Sequence, residues 1–246
     1  MIRFVCLLIG YVFGCFQTSY IYGRLHGIDI RKYGSGNAGT TNSLRVLGKK
    51  AGAIVLFCDI IKTGLAMTAV RLLFREQYGE ILYLLAIYAA AGAILGHNFP
   101  FYLGFKGGKG IACTAGLVIF FHPYMLIPQV ITFFGIFFAT HYVSLGSLVV
   151  EIVLIAEMVI FGQMGVWGME QAALNELYLV TVLLAALAFW GHRANIKRLL
   201  HKEERKTYLS KKSEEGLKGV RYGKGRNDWS RKLGHRIVGT AAQQWT

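Results

Sequence analysis

The sequence predicts an all-α polytopic membrane protein, a bundle of about seven transmembrane or partly re-entrant helices. Of its 246 residues, 54% are hydrophobic, and the mean hydropathy is +0.44. This is too apolar for an ordinary soluble domain. Apolar runs of about 20 residues, the length that crosses a bilayer, recur along the chain. Polar segments rich in glycine and basic residues separate these runs.

The apolar runs set the approximate bounds of the predicted helices, which are 3–24, 52–73, 80–96, 110–121, 124–139, 142–162 and 176–191. The fourth and fifth are short for full spans, and His122 and Pro123 separate them. A tight hairpin or a partly re-entrant pair is therefore expected there. The first run follows Arg3 like a signal peptide, but it has no clear cleavage pattern and is interpreted as a retained span.

The basic residues indicate the orientation of the bundle. The formal net charge is +14, with cations concentrated around 24–50, at 106–109 and after Arg193, and with none between Gly162 and Tyr178. The positive-inside rule then predicts an outside N-terminus and a cytoplasmic C-terminus, which agrees with an odd number of crossings. We expect an integral membrane domain at 1–206 and a basic, flexible cytoplasmic tail at 207–246.

A basic chain can also bind nucleic acid, and the stretch 197–236 could contact RNA. Contact with anionic lipid headgroups is favoured because the stretch follows the last span, so the bilayer is an expected partner and nucleic acid is not. The cysteines, Cys6, Cys15, Cys58 and Cys113, lack the spacing of metal ligands. Neither a disulfide nor a metal site is predicted.

The segment Gly96–Gly110 is the most informative of the polar segments. Four glycines and two lysines fall within 104–110. Such a loop can converge its backbone N–H groups on an anion. It is one residue shorter than a Walker A loop, and Gly110 stands where a magnesium-binding hydroxyl is needed, so nucleotide hydrolysis is disfavoured. We predict a phosphate-binding nest at the start of a helix near Ile111, with His97 more often an ordinary hydrogen-bonded residue than a catalyst.

Two further polar segments face the same predicted side. Residues 34–48 combine glycines with hydroxyl and amide side chains and with Arg45, whose guanidinium suits phosphate. The alternative is a polar turn with Ser43 or Asn42 as the N-cap of a helix. If 191–204 is helical, His192 and Asn195 share one face, although a basic helix end that anchors the last span would look similar.

Ionisable residues also occur inside predicted spans. Asp59 and Lys62 are three residues apart on the second predicted helix. A structural ion pair that supports the first polar segment is the favoured interpretation. Glu151 and Glu157 are six residues apart and do not share a face, so no paired-carboxylate site is predicted.

The three polar segments resemble the signature motifs of the bacterial acyl-phosphate:glycerol-3-phosphate acyltransferases, the PlsY family. Residues 34–48 resemble the first motif, 97–110 the second and 192–204 the third. The resemblance extends from the first span to about Glu204 and is specific because three motifs recur in order. Lys202 departs from the family's usual glycine, and Cys113 from its usual threonine.

The resemblance implies transfer of a fatty acyl group from acyl-phosphate to the sn-1 hydroxyl of glycerol 3-phosphate, which yields lysophosphatidic acid and phosphate for phospholipid biosynthesis, without a cofactor. It also implies a bacterial cytoplasmic (inner) membrane location with a cytoplasmic active site. The implied catalytic residues are Ser35, Arg45, Lys109, His192 and Asn195. The implied substrate-binding residues are Gly36, Asn37, Gly39, Thr41, Asn42, His97, Lys106, Gly107, Gly108, Gly110, Arg193 and Glu204. In this assignment Ser35, Arg45 and Lys109 hold glycerol 3-phosphate, and the glycine backbones receive the phosphate of the acyl donor.

An acyl-phosphate is already activated, so a strong enzyme nucleophile is not needed and direct attack by the glycerol hydroxyl is predicted. No histidine is followed five residues later by aspartate, the pair that acyl-CoA-dependent acyltransferases use. The proton acceptor stays open among His192, a substrate phosphate oxygen and water. A transporter of an organic phosphate is the competing function. It is disfavoured because alternating access needs polar elements on both sides.

Overall fold

The structure is a computed structural model that describes residues 1–208. The predicted tail from 209 onward lies outside the described residues. The described part is all α-helical, without a β-strand between residues 1 and 208. Its α-helices are α1 Ile2–Gly14, α2 Thr18–Leu25, α3 Thr40–Leu47, α4 Lys49–Phe74, α5 Leu82–Asn98, α6 Ile111–Phe121, α7 Leu126–Thr140, α8 Val143–Gln163, α9 Gln171–Gly191 and α10 Arg193–Leu200.

The predicted fold class is confirmed. Six stretches of the described chain are long and apolar enough to cross a membrane: Ile2–Leu25, Lys49–Phe74, Gly79–Leu103, Pro123–Thr140, Val143–Gln163 and Gln171–Gly191. Helix α6 has 11 residues, which is about 16 Å and roughly half the hydrocarbon thickness. This length agrees with the prediction that the fourth helix is too short for a full span. The fifth was also expected to be short, but Pro123–Thr140 is long enough to cross.

The first predicted helix is broken, contrary to the prediction of one continuous run at 3–24. The chain leaves helical geometry after Cys15 and re-enters it at Thr18. At the break, the Gln17 side chain donates to the His97 carbonyl oxygen at 2.8 Å, and the Phe16 carbonyl oxygen accepts from Lys62 at 2.9 Å. These contacts satisfy polar groups that the break exposes, and hydropathy along the chain cannot reveal them.

Two short helices lie outside the seven predicted apolar runs. Helices α3 and α10 have eight residues each and lie in the first and third polar segments. Both are amphipathic and polar overall, so neither produces an apolar run that would mark it as a span. They lie beside the bundle and carry site residues.

Helices α1 and α5 pack with their backbones in contact. A Cβ added at Gly10 or Gly14 would overlap the backbone of Ala89 or Ala93, and one at Gly92 would overlap the backbone of Leu7. Close approach through small residues is a common way to pack membrane helices. Helix α5 is the most buried of the six spans, and its last turn ends at the second polar segment.

A cavity of about 460 Å³ lies at the ends of α4, α5 and α6 that are opposite to the three polar segments. Its lining includes Arg71, Tyr83 and Trp167. Arg71 donates to the carbonyl oxygens of Phe120 and Phe121 at 2.5 and 3.0 Å. This cavity is remote from the three polar segments.

Candidate functional site

The second polar segment folds back onto the end of α5. The Gly107 and Gly108 N–H groups donate to the carbonyl oxygens of Asn98 and His97, at 3.1 and 3.0 Å. A Cβ at Gly107 would overlap the His97 carbonyl oxygen, and one at Gly108 would overlap the His97 ring. Glycine is required at both positions because any side chain would force the loop away from α5.

These hydrogen bonds correct one part of the predicted phosphate nest. The N–H groups of Gly107 and Gly108 are already bonded to α5, so they are not free to bind an anion. Helix α6 does begin at Ile111, with Gly110 as its N-cap at φ 86°. Its first N–H groups have no partner within the helix and carry partial positive charge. The candidate anion-binding backbone is therefore this first turn.

In the first segment, Asn42 holds the loop in shape. Its side-chain oxygen accepts from the Ser35 N–H at 2.9 Å, and its amide nitrogen donates to the carbonyl oxygens of Ile30 and Tyr33 at 3.2 and 3.0 Å. Since Asn42 is 1% exposed, it acts on the loop, and direct substrate contact by its side chain stays a prediction. The N-cap of α3 is Gly39, so the alternative of Ser43 or Asn42 as N-cap is wrong.

The backbone of the first segment is also largely self-bonded. The Gly36 and Gly39 N–H groups donate to the carbonyl oxygens of Tyr33 and Asn37, both at 3.0 Å. These two amides are therefore not free for an acyl-phosphate, contrary to the expectation from the resemblance.

The first and second segments are tied together directly. Arg31 donates to the Leu103 carbonyl oxygen at 3.0 Å, and the Ala38 N–H donates to the Gly107 carbonyl oxygen at 3.4 Å. Asp29 orients Arg31 through an ion pair of 2.8 Å. Hydrogen bonding to Arg31 lowers the pKa of Asp29 to about 2, so the pair stays charged at neutral pH.

The third segment joins the second through a chain of polar contacts. Lys109 donates to the Asn195 side-chain oxygen, and the Asn195 amide nitrogen donates to Glu204 at 2.7 Å. Ser144 and Arg198 also donate to Glu204, at 3.0 and 2.6 Å. Glu204 thus fixes which way the Asn195 amide points, and it acts on Lys109 through Asn195.

Charges from all three segments meet around Lys109. Burial is the main cause that lowers the Lys109 pKa, to about 8. Glu204 opposes this shift, whereas the cations Arg198, Arg193 and Arg45 add to it. Burial and then Arg205 and Arg198 lower the pKa of Arg45, while Glu204 opposes them. One carboxylate among several cations leaves a cluster of net positive charge suited to anions.

His192 ends α9 with a defined tautomer. Its Nδ1 lies 2.8 Å from the Ala188 carbonyl oxygen, which can only accept, so Nδ1 carries the proton. The Nε2 lone pair is then left as an acceptor. Burial and the nearby Lys109 lower the His192 pKa to about 4, so the ring is neutral at physiological pH.

Other predicted residues lie outside this contact chain. Ser35 and Lys106 are exposed, and Arg193 is exposed with its guanidinium 4.4 Å from the centre of the Trp190 ring. Thr41 and Asn37 are half-buried in the first segment. Their predicted roles in binding stay predictions.

The Asp59–Lys62 ion pair exists, but it supports the second segment instead of the first. Lys62 Nζ lies 2.8 Å from Asp59 Oδ1 and 2.9 Å from His97 Nδ1. Asp59, His97 and Cys113 also place three potential metal-ligand atoms within 4.8 Å of one another. Lys62 already contacts the carboxylate and the imidazole, so its own ammonium group holds the position that a metal ion would need.

Sequence reasoning missed Lys62 as a partner of His97, and Ser144 as a partner of Glu204. An acid and a base three residues apart in an apolar helix did signal a local pair. The third member lies 35 residues away on another helix, which spacing along the chain does not reveal.

Comparisons with known proteins agree with this geometry. The family model for glycerol-3-phosphate acyltransferase matches residues 4–202. A glycerol-3-phosphate acyltransferase of Bacillus cytotoxicus is 36% identical over 87% of this chain and 99% of its own length. One from Mycoplasmopsis synoviae is 37% identical over 85% of this chain and 96% of its own.

Solved structures show the same fold. The crystal structure of PlsY (YgiH), an integral membrane glycerol 3-phosphate acyltransferase, in its glycerol 3-phosphate form superposes with a TM-score of 0.70 at 30% identity, covering 84% of this chain and 96% of that one. The lysophosphatidic acid form gives a TM-score of 0.68 at 29% identity, covering 87% and 98%. Fold and site together define a multi-pass α-helical membrane protein with a cluster of cationic side chains where its three polar segments meet. The chain belongs to the glycerol-3-phosphate acyltransferase family.

Proposed function

We propose that this chain transfers a fatty acyl group from acyl-phosphate to the sn-1 hydroxyl of glycerol 3-phosphate, giving lysophosphatidic acid and inorganic phosphate. The observation that carries the proposal is the meeting of Arg45, Lys109 and the Asn195–Glu204 pair in one charged cluster. Both substrates carry phosphate, and a cluster with several cations and one carboxylate neutralises them. Family membership supports glycerol 3-phosphate as the acceptor.

Lys109 and Arg45 hold the phosphate of glycerol 3-phosphate, and the first turn of α6 receives the phosphate of the acyl donor. Helix N-termini bind such anions through free N–H groups and the helix dipole. Placing both substrates in one pocket converts their reaction into a step within a complex, which contributes about 7–11 kcal/mol.

The reaction proceeds by direct attack. The glycerol hydroxyl oxygen forms an ester bond with the acyl carbon, and the bond from that carbon to the phosphate oxygen breaks. His192 Nε2 accepts a hydrogen bond from the hydroxyl and orients it. Burial and Lys109 lower the pKa of His192, which makes this ring a weak base. The hydroxyl proton passes to a substrate phosphate oxygen.

The site faces the cytoplasm of a bacterium, with the N-terminus outside the inner membrane. The supporting observation is that cationic residues gather at the end of the bundle that carries the three polar segments. Labelling of a single cysteine introduced at exposed Ser35 from the cytoplasmic side only is expected. Labelling from the outside only would contradict this orientation.

The test is turnover by purified protein in nanodiscs with acyl-phosphate and glycerol 3-phosphate, without coenzyme A or acyl carrier protein. Lysophosphatidic acid and phosphate are expected in equal amounts. Acyl-CoA as sole donor is the control and should give no product. Strict dependence on a thioester would overturn the proposal that acyl-phosphate is the donor. Trapping of an acyl group on Ser35 would overturn the proposal of direct attack.

A further inference from the structure

His97 lies beneath the second polar segment in a nearly closed environment. Its ring is 3% exposed, and its Nε2 occupies the space that a Gly108 side chain would fill. Its Nδ1 is 2.9 Å from Lys62 Nζ. Within residues 1–208 the only side-chain hydrogen bond of His97 is this one with Lys62. Nε2 therefore lies beside Gly108 of the second polar segment, without a side-chain hydrogen-bond partner among residues 1–208.

Lys62 decides which ring nitrogen carries the proton. An ammonium group has only donors, so His97 Nδ1 must accept, and the single proton of the neutral ring must lie on Nε2. Lys62 is itself held in place by Asp59 at 2.8 Å and by the Phe16 carbonyl oxygen at 2.9 Å. Side chains of Asp59 and Lys62 are 1% and 5% exposed, so solvent screens neither charge.

Asp59 alone would produce the opposite arrangement. Its Oδ1 lies 3.6 Å from His97 Nδ1 and can only accept a proton. Without the ammonium, this carboxylate would draw the proton to Nδ1 and leave a lone pair on Nε2. Within residues 1–208, the remaining titratable group at the ring is Cys113 from α6, and a thiol is too weak a donor to replace Lys62.

We propose that Lys62, anchored by Asp59, is a positioning residue that fixes His97 as the Nε2–H tautomer, and that this N–H donates to a phosphate oxygen bound at the second polar segment. The inference rests on the proposed function for the identity of the phosphate compound. The tautomer itself does not depend on that function.

The direct test is the ¹⁵N spectrum of histidine-labelled full-length protein in nanodiscs, with the His97 signals assigned by their loss in His97→Gln. Nδ1 should show the shift of an unprotonated nitrogen and Nε2 that of a protonated one. His192 is the internal reference, because its bond to Ala188 places its proton on Nδ1. A wild-type His97 protonated on Nδ1 would overturn the proposal without any variant.

Two variants then test the role of Lys62. In Lys62→Met the His97 pattern should reverse, since Asp59 becomes the neighbour of Nδ1. In the double variant Asp59→Leu with Lys62→Met both charges are removed, and a mixture of tautomers is expected. The double variant also covers the case in which Lys62→Met does not fold, because replacing a buried pair by apolar residues is often tolerated. An unchanged pattern in the folded variants would refute the assignment.

Phosphate binding and turnover complete the test. Inorganic phosphate should shift the His97 Nε2–H signal in the wild type, and a signal that does not move would exclude the donor role. Lys62→Met should lower kcat/KM about 10- to 100-fold, and His97→Gln, which keeps a donor near Nε2, should retain more activity than His97→Leu. If no acyl transfer occurs with any substrate while the tautomer and phosphate results hold, the proposed function fails and this inference stands.

Discussion

His97 and His192 illustrate how one residue type is given two chemical roles in one site. Each follows a glycine at the end of a long helix, and each is nearly buried. At His97 the Nδ1 neighbour is the Lys62 ammonium, whereas at His192 it is the Ala188 carbonyl oxygen. The first ring therefore presents a donor at Nε2, and the second presents an acceptor.

The difference lies in where each partner comes from. Ala188 is one helical turn before His192, so the acceptor role of His192 follows from local helix geometry. Lys62 belongs to a different helix, and it reaches His97 only because α4 and α5 pack together. Local helix geometry fixes the tautomer of His192, and packing between two helices fixes the tautomer of His97.

The largest expected effect comes from removing the cation beside His192. Lys109→Met should lower kcat/KM by about 100-fold or more, because one charged donor to the substrate is lost. It should also raise the pKa of His192, since Lys109 contributes to lowering that pKa. Steady-state kinetics and NMR titration measure the two effects.

Lys197→Met is the matched control for Lys109. It removes an exposed lysine of the neighbouring third polar segment. It should leave kcat/KM nearly unchanged. Equal losses in the two variants would show that the net charge of the site, and not the contact with Asn195, governs binding.

The next effect concerns the carboxylate behind Asn195. Glu204→Gln should lower kcat/KM about 10-fold and destabilise the protein by about 1–3 kcal/mol, because one of the donors on Glu204 then faces an NH₂ group. Exposed Glu203 gives the control, and Glu203→Gln should change neither quantity.

The pH dependence of stability sharpens this result. Burial alone would raise the Glu204 pKa, but hydrogen bonds from Asn195, Arg198 and Ser144 lower it overall. A carboxyl whose pKa is lowered in the folded state stabilises the fold at pH values above its unfolded pKa of about 4.3. This stabilisation is lost as the pH falls through the folded-state pKa. The stabilities of wild type and Glu204→Gln should converge in acid. A constant difference down to pH 3 would contradict the charge argument.

The lowered pKa of Lys109 predicts that activity falls at alkaline pH. Because its pKa is lowered from 10.5 to about 8, the free enzyme loses this positive charge above that pH. The kcat/KM for glycerol 3-phosphate should fall about tenfold per pH unit there. Lys109→Arg should remove this inflection, since arginine stays charged. An unchanged inflection in that variant would assign it to another group.

The smallest effect concerns the end of α10, which positions Glu204. The Lys202 and Glu203 N–H groups donate to the carbonyl oxygens of Leu199 and Arg198 at 3.1 and 2.8 Å. This is a Schellman motif, and Lys202 occupies its left-handed position at φ 59°. Lysine thus occupies a turn position that favours glycine, in a strained backbone conformation.

Lys202→Gly should therefore raise the free energy of unfolding by about 1 kcal/mol without changing kcat/KM. Lys202→Ala is the control, because alanine has the same backbone strain and should give no gain. Denaturation of both variants measures the difference, and equal stabilities would show that the turn is unstrained.

The sequence by itself determined the all-α membrane class, the start of α6 at Ile111 and the three polar segments. Each of these follows from hydropathy, glycine content or charge within a short stretch. The tertiary structure alone decided the break at Phe16–Gln17, the self-bonded amides of Gly107 and Gly108, and the meeting of Lys62 with His97. These contacts join residues that are far apart in the chain, and a local pattern carries no information about which distant group satisfies a buried donor or acceptor.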